Sequence, residues 1–501
     1  MYIKKSRAII KGKTYEYLRL VQGIRVGTKI KHKVVAYLGR IDDPSSAASF
    51  LFNKSPVKNR QQARLYALPM ACNQIIEQVL NLPAILAKVF STVPKETFLL
   101  IKLMILSRLL NPESKLSLTR WYQHLYLPDY LPKKIDVHQF YTALDNLMVK
   151  KEEIEKALFT RMREQGLIDA TIVFYDLTSS YFEGEECEIA KFGHSRDKRQ
   201  DCLQITIGLV IDQSGLPIFH EVFAGNMSDR KTVKGILDKV KNILSIKNIL
   251  FVADKGMLSP DNIAELEKLK TDGYTYILSQ SPRAGYDTLK SFLAQKDTWK
   301  KLTEALHYTV TAGLILCYNP FTAQKAKTTR DAKIEKLTTF ISSELAKTEA
   351  KRKQDKQIIH DRIIKKLHSC HASKYFTKDT FQKRETVILK EELLDGVWVL
   401  TGNTKLTPEE IIEAYKQEAT IESSFRVIKD VVELRPIYHY SSQRVKAHVF
   451  ICVISYLVAR LLERKTGQTI KALKEKYMAS VIMDGDTPSS PKQIIGESIE
   501  F

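Results

Sequence analysis

Cysteine is scarce and scattered in this sequence: six in 501 residues, at positions 72, 187, 202, 317, 370 and 452, with no Cys-x-x-Cys pair. That spacing excludes a zinc ribbon and a disulfide framework and suits a reducing cytosol. Cys370-His371 is an isolated pair and reads as structural or surface. Long apolar runs are missing as well. The longest, Val449 to Ala459, is interrupted by Ser455 and flanked by His448 and Arg460, short of the roughly 20 residues a membrane span needs. It reads as a buried helix. The opening Met1-Tyr2-Ile3-Lys4-Lys5-Ser6-Arg7 lacks the apolar stretch of a signal peptide, so a cytoplasmic protein without a membrane partner is expected. Acidic residues are the third shortage: 57 Asp and Glu face 78 Lys and Arg, a net charge of +21 and a pI near 9.4. Such an excess favours a polyanionic partner whose binding weakens steeply with salt. What remains is the composition of a folded soluble protein, 44% hydrophobic and 27% charged, with 20 Gly and 16 Pro.

A chain this long exceeds one ordinary core, so three or more domains are expected. Residues 1–60 carry 14 Lys and Arg against 3 Asp and Glu. Alternation over Thr14–Val21 and Lys29–Leu38 reads as a small basic β-hairpin unit. Gly12-Lys13-Thr14 is no phosphate loop, because Arg7 stands where the first glycine of that motif belongs; no nucleotide cofactor is expected. Asp42-Asp43-Pro44-Ser45-Ser46 looks like a linker. Residues 61–168 are helical in pattern, with helices over Thr97–Leu110, Leu118–Leu125, Val137–Met148 and Lys151–Gln165, either a helix-turn-helix-like DNA-binding domain or a plain scaffold. From 169 to 281 the pattern changes to strands at 171–176, 203–211, 217–223, 248–253 and 274–279, with helices near 230–244 and 260–270. That order describes a mixed sheet with helices packed on it. Residues 282–395 interrupt it with a strand-like Tyr308–Cys317, a long charged helical stretch from Ala323 to Leu367 and a strand-like Glu385–Leu389. The strand Val397–Leu400 and a helix capped by Thr407, Pro408 and Glu410 open a second part, 396–465, followed by a tail, 466–501, that could serve oligomerisation.

Three acids stand out against this basic background. Asp176 ends the run Thr171-Ile172-Val173-Phe174-Tyr175, Asp254 ends Ile249-Leu250-Phe251-Val252-Ala253, and Glu422 lies on a helical stretch from Tyr415 onward. Carboxylates gathered from such places suit Mg²⁺ or Mn²⁺, hard ions that prefer oxygen, and two such ions can drive phosphodiester chemistry. On one continuous helix Tyr415, Glu422 and Lys429, each seven apart, share a face with Arg426 beside them, while Ala414, Ile421, Phe425, Ile428 and Val432 form an apolar stripe. Glu422 can then ligate metal, Arg426 and Lys429 can contact phosphates, and Tyr415 can hydrogen-bond or stack beside a base. Taken alone, the helix reads equally as an amphipathic surface helix. The aspartates upstream give it its functional reading. Ser179, Ser180 and Tyr181 close to Asp176 keep a covalent recombinase mechanism in view, and Trp299 is either a core residue or a platform for a flipped base.

The stretches Phe174-Tyr175-Asp176-Leu177-Thr178-Ser179, Gly225-Asn226-Met227-Ser228-Asp229, Ala253-Asp254-Lys255-Gly256, Tyr415–Lys429 and Leu434-Arg435-Pro436-Ile437-Tyr438-His439 resemble, in order and spacing, the DDE transposases of bacterial insertion sequences, the insertion sequence four superfamily. The resemblance implies an α/β fold: a ribonuclease-H-like mixed sheet with flanking helices, interrupted by an α+β insertion and preceded by the basic hairpin unit and the helical domain. It implies catalysis by Asp176, Asp254 and Glu422 with two Mg²⁺ (or Mn²⁺) ions per active site, and DNA contacts from Tyr415, Arg426, Lys429 and Lys255. It further implies binding of terminal inverted repeats, hydrolytic cleavage at the element ends, joining of 3′-hydroxyls to target DNA, and a homodimer or larger synaptic complex on double-stranded DNA in the bacterial cytoplasm, with the nucleoid. The family signature places an arginine where Glu418 stands here. Two neighbouring classes share these features: a structure-specific nuclease of the same fold, and a DNA-binding protein that has lost catalysis.

Overall fold

The computed structural model describes residues 2–10, 13–26, 29–40, 63–129, 131–182, 184–193, 195–197, 199–242, 249–253, 260–283, 285–347, 353–478 and 480–483. The chain divides near Ala63 into an N-terminal unit and a much larger second unit. In the first, β1 (Tyr2–Ile10), β2 (Lys13–Val26) and β3 (Lys29–Arg40) form an antiparallel sheet in the order β1-β2-β3. The expected hairpin is β2 with β3, and β1 adds a third strand. Glu16 on β2 accepts Lys5 at 2.6 Å and Arg7 at 2.8 Å from β1, so neighbouring strands trade one acid for two of the many cations.

The second unit opens with the short strand β4 (Ala63–Leu65). Six helices follow: α1 (Ala67–Gln74), α2 (Leu82–Val89), α3 (Glu96–Leu110), α4 (Lys115–Trp121), α5 (Val137–Val149) and α6 (Lys151–Glu164). Then come β5 (Ile172–Tyr181), β6 (Gln204–Asp212), β7 (Pro217–Ala224), α7 (Asp229–Asn242), β8 (Leu250–Ala253), α8 (Pro260–Lys268) and β9 (Thr275–Gln280). β5, β6 and β7 are an antiparallel meander, and β8 and β9 return parallel to β5. The spatial order β7-β6-β5-β8-β9 is that of a ribonuclease-H-like sheet.

The stretch that interrupts this sheet in sequence extends it in space. After α9 (Tyr286–Leu293), strands β10 (Lys300–Thr303), β11 (Leu306–Thr311) and β12 (Leu314–Tyr318) pair antiparallel, and β13 (Val397–Gly402) bridges β12 to β9. The result is one nine-stranded sheet, β10-β11-β12-β13-β9-β8-β5-β6-β7. Tyr308–Cys317, expected as one strand, is a hairpin turning at Ala312 and Gly313, where φ is +46° and +74°. Between β12 and β13, α10 (Pro320–Ala346) and α11 (Lys353–Ser369) pack through Ile334, Leu337 and Ile341 against Ile359, Ile363 and Leu367. Glu385–Leu389 is not a strand but the start of α12 (Glu385–Leu394). Its β-branched Thr386, Val387 and Ile388 suggest extension, yet Lys390-Glu391-Glu392-Leu393-Leu394 are strong helix formers and carry the segment.

Last come α13 (Pro408–Lys416), α14 (Ala419–Asp430), α15 (Ser442–Thr466) and α16 (Ile470–Tyr477). α15 is the apolar helix read from the sequence as buried. It contributes Val449, Cys452 and Tyr456 to the core on one side of the sheet and Phe450, Ile451 and Leu457 to the core on the other. A helix apolar all round is stable only where both sides are covered, and this one is packed by α3, α5, α14 and β7.

Candidate active site

β5 shows how one strand delivers both packing and chemistry. Successive side chains point to opposite faces. Val173, Tyr175 and Leu177 enter the core shared with the helices α1–α6, whereas Phe174 enters the opposite core with Ile421, Phe425 and Ile428 of α14. Asp176 is two residues beyond Phe174 and therefore faces the same side, half-buried, with α14 packed against its strand. The strand runs on to Tyr181, so Asp176 is not at its end. It stands where the parallel partner stops: β8 is registered as far as Val252 opposite Phe174 and ends at Ala253. Asp254 and Lys255 lie outside the described residues.

Glu422 is in the first turn of α14, exposed, and makes no ion pair or hydrogen bond among the described residues. Arg426 stands four residues on, a spacing at which Glu and Arg usually pair, yet it too is exposed and unpaired among the described residues. Buried Ile421, Ser424, Phe425 and Ile428 hold the helix down on its other side. Tyr456 of α15 adds a polar tie, its hydroxyl 2.6 Å from Ser424 Oγ and 2.8 Å from the Gly215 carbonyl oxygen in the β6–β7 turn. Burial pushes the Tyr456 phenol up to about 12, so it keeps its proton at every relevant pH. The continuous helix expected from Tyr415 to Lys429 is two helices: α13 ends at Lys416, and Glu418, Thr420 and Ile421 donate three residues back rather than four. Tyr415 thus sits on a different helix from Glu422, with Glu418 at the joint, and the seven-residue stacking joins only Glu422 to Lys429.

Lys429 is engaged. Its Nζ lies 2.9 Å from Asp197 Oδ1, and Arg435, just past α14, reaches the other oxygen at 3.3 Å. The Arg435 guanidinium also lies 4.2 Å from the ring of Tyr181, which Arg199 approaches at 4.9 Å. Asp197 and Arg435 had no role assigned from sequence, and Tyr181 was weighed only as a covalent nucleophile. The run Arg196-Asp197-Lys198-Arg199, one acid among cations, was the signal available.

Covalent chemistry on the strand is disfavoured by burial. Ser179 is 1% exposed and its Oγ accepts the Arg196 amide at 2.7 Å, Ser180 is wholly buried, and Tyr181 is taken up by the two arginines. Trp299 is a core residue, 6% exposed, donating from Nε1 to the Phe292 carbonyl at 3.2 Å. The glycine of Gly225-Asn226-Met227-Ser228-Asp229 has a steric reason. A Cβ there would come within 1.9 Å of the Gln204 carbonyl oxygen and 2.5 Å of that of Lys191, where the β5–β6 connection bridges back onto β6.

The strand order and the helices packed on the sheet are those of a ribonuclease-H-like fold. Residues 161–458, more than half of the chain, match the transposase DDE domain, and residues 3–60 match the N-terminal domain of IS1634 family transposases. The protein belongs to the DDE transposases of bacterial insertion sequences: a DNA-cleaving, strand-transferring enzyme of a family that depends on a divalent metal. Among solved structures, the piggyBac transposase synaptic complex with hairpin DNA aligns with 82% of this chain and 79% of its own at 10% identity and a TM-score of 0.38. The Mos1 transposase paired-end complex with the left transposon end aligns with 35% of this chain and 58% of its own, at 13% identity and 0.15. No curated protein matches the chain.

Proposed function

We propose that Asp176, Asp254 and Glu422 form the catalytic centre with which this transposase cleaves the ends of its own element and joins them to target DNA. The observation that carries the reading is the shared face of Asp176 and Phe174, because Phe174 packs with Ile421 and Phe425 of the helix that bears Glu422. Asp254 follows Val252 by two residues, as Asp176 follows Phe174, and Val252 and Phe174 are partners in the parallel register.

The donor set suits the divalent metal of the family: all three ligands are carboxylates, and Glu422 is left unpaired by Arg426 although the spacing invites a bond. Asp176, Asp254 and Glu422 would hold two divalent ions, Mg²⁺ or Mn²⁺, which when bound would supply Lewis acidity for hydrolysis and strand transfer. The chain's own residues orient the substrate. Arg426, on the exposed face with Glu422, and Lys429 one turn on offer cations to phosphates flanking the scissile bond. Tyr415 and Lys255 complete the DNA-contacting set. Buried Ser179 and Ser180 take no part.

End recognition falls to residues 1–60 and to the helices of 61–168, and synapsis to a dimer or larger assembly in the cytoplasm. The helices α3 and α5 share a core with α15, so deleting them would expose that core. The informative deletion is residues 1–60. It is expected to abolish selective binding of the element ends while sparing non-selective DNA binding; unchanged selectivity in a gel-shift assay would refute the assignment.

A further inference from the structure

We propose that Lys429 and Arg435 form a phosphodiester-binding site that the carboxylate of Asp197 fills in the DNA-free protein, and that DNA displaces Asp197 on binding. The proposal rests on the reading of the Glu422 helix as facing DNA.

Both cations come from the catalytic neighbourhood. Lys429 is two turns along α14 from Glu422, and Arg435 lies five residues past the end of the helix at Asp430. Asp197 comes from elsewhere, the long connection between β5 and β6. Each of its oxygens receives one cation, Oδ1 from Lys429 at 2.9 Å and Oδ2 from Arg435 at 3.3 Å. A phosphodiester offers the same fork, two non-bridging oxygens sharing one negative charge, so it can replace the carboxylate without moving either cation. Two cations on one carboxylate leave a positive excess, which a purely structural tie does not need. The three side chains are 13%, 21% and 14% exposed for Lys429, Arg435 and Asp197, shielded enough for the pairing to be felt and open enough for exchange. The Tyr181 ring, 4.2 Å from the Arg435 guanidinium, holds it in place when its carboxylate partner leaves.

Such a gate makes the site discriminating. A phosphate arriving alone must outcompete a tethered carboxylate, whereas a DNA strand anchored at neighbouring contacts does so at high effective concentration.

The test is fluorescence anisotropy of a short labelled duplex with the full-length protein in EDTA, across a salt series. Asp197→Asn is expected to bind about three- to tenfold tighter, the scale of one partly buried ion pair, with the log–log salt slope unchanged, because the same phosphate is neutralised in both proteins. Lys429→Ala and Arg435→Ala each weaken binding, and Asp197→Asn gains nothing when combined with both. If the two alanine variants weaken binding but Asp197→Asn is unchanged or weaker, Asp197 only positions the cations and the proposal is wrong. If the alanine variants leave binding unchanged, the DNA-facing reading of the helix fails and takes the proposal with it. Should Asp197→Asn melt early, Asp197→Ser repeats the measurement with a smaller side chain. Early melting of both makes Asp197 a structural tie and overturns the proposal.

Discussion

Tyr456 holds the helix that bears Glu422 by one hydroxyl, 2.6 Å from Ser424 and 2.8 Å from the Gly215 carbonyl. Tyr456→Phe keeps the ring and strands buried polar groups, and should cost about 1–3 kcal/mol in urea denaturation; a loss within error would remove Tyr456 from the account. A second group of residues behaves differently. Arg108, Lys115, His439 and His448 are buried together behind the segment that follows α14, with Arg108 donating to the carbonyls of Glu433 at 2.8 Å and of Glu113. Burial, then the Arg108 charge, pulls Lys115 down to about 7, and burial with Lys115 and Arg444 brings His439 down to about 3. Burial holds His448 well below its usual value. The unfolded chain binds protons more readily than the folded one wherever a pKa is depressed, so stability rises with pH across each window. Stability should therefore fall as pH drops from about 6.5 toward 3, through the histidines, and should climb between about 7 and 10.5 through Lys115. Lys115→Met should raise the melting temperature at pH 7 and flatten the alkaline climb; a melting curve that keeps the climb would assign it to another group.

At the scale of elements, periodicity was a good guide where one face is buried and a poor one where two elements meet. The helix over Val137–Met148, the strands of the sheet and the capping box of Thr407 and Glu410 were legible because alternation, 3.6-residue spacing and turn chemistry are local. The break between α13 and α14 was not. Gln417 and Glu418 keep right-handed helical backbone angles, and only the hydrogen bonds shift to three residues back, so nothing in the residue types marks the joint. The strand-like Glu385–Leu389 misled for the opposite reason: its β-branched triplet is local evidence that neighbouring helix formers overrule. The role of Gly225 was equally hidden, since it depends on the β5–β6 connection folding back. Gly225→Ala forces backbone apart at Gln204 and should destabilise the protein by about 1–3 kcal/mol or more; a neutral substitution would mean the connection moves aside freely.

At the scale of the molecule, the sheet and α15 bring the two halves of the chain together, with the helix that bears Glu422 packed against the strand that bears Asp176. Asp176 was singled out from its motif, but the side it faces follows only from the split of β5 between two cores. The pairing of Lys429 with Asp197 spans 232 residues of sequence and no local pattern foretells it. That the inserted strands β10–β12 widen the catalytic sheet was likewise invisible, because β13 makes the connection from the far side of the helical pair. The net charge of +21 predicts DNA binding that falls linearly in log–log salt plots. The most direct test of the central claim is Mg²⁺-dependent cleavage and joining of the element's own end DNA by wild type, Asp176→Asn, Asp254→Asn and Glu422→Gln. The account predicts joined product from wild type and a loss of at least about 10²-fold in each variant, with DNA still bound. Cleavage and joining at wild-type rates by any one of the three would contradict the triad, and binding without chemistry in all four proteins would leave a DNA-binding protein in place of an enzyme.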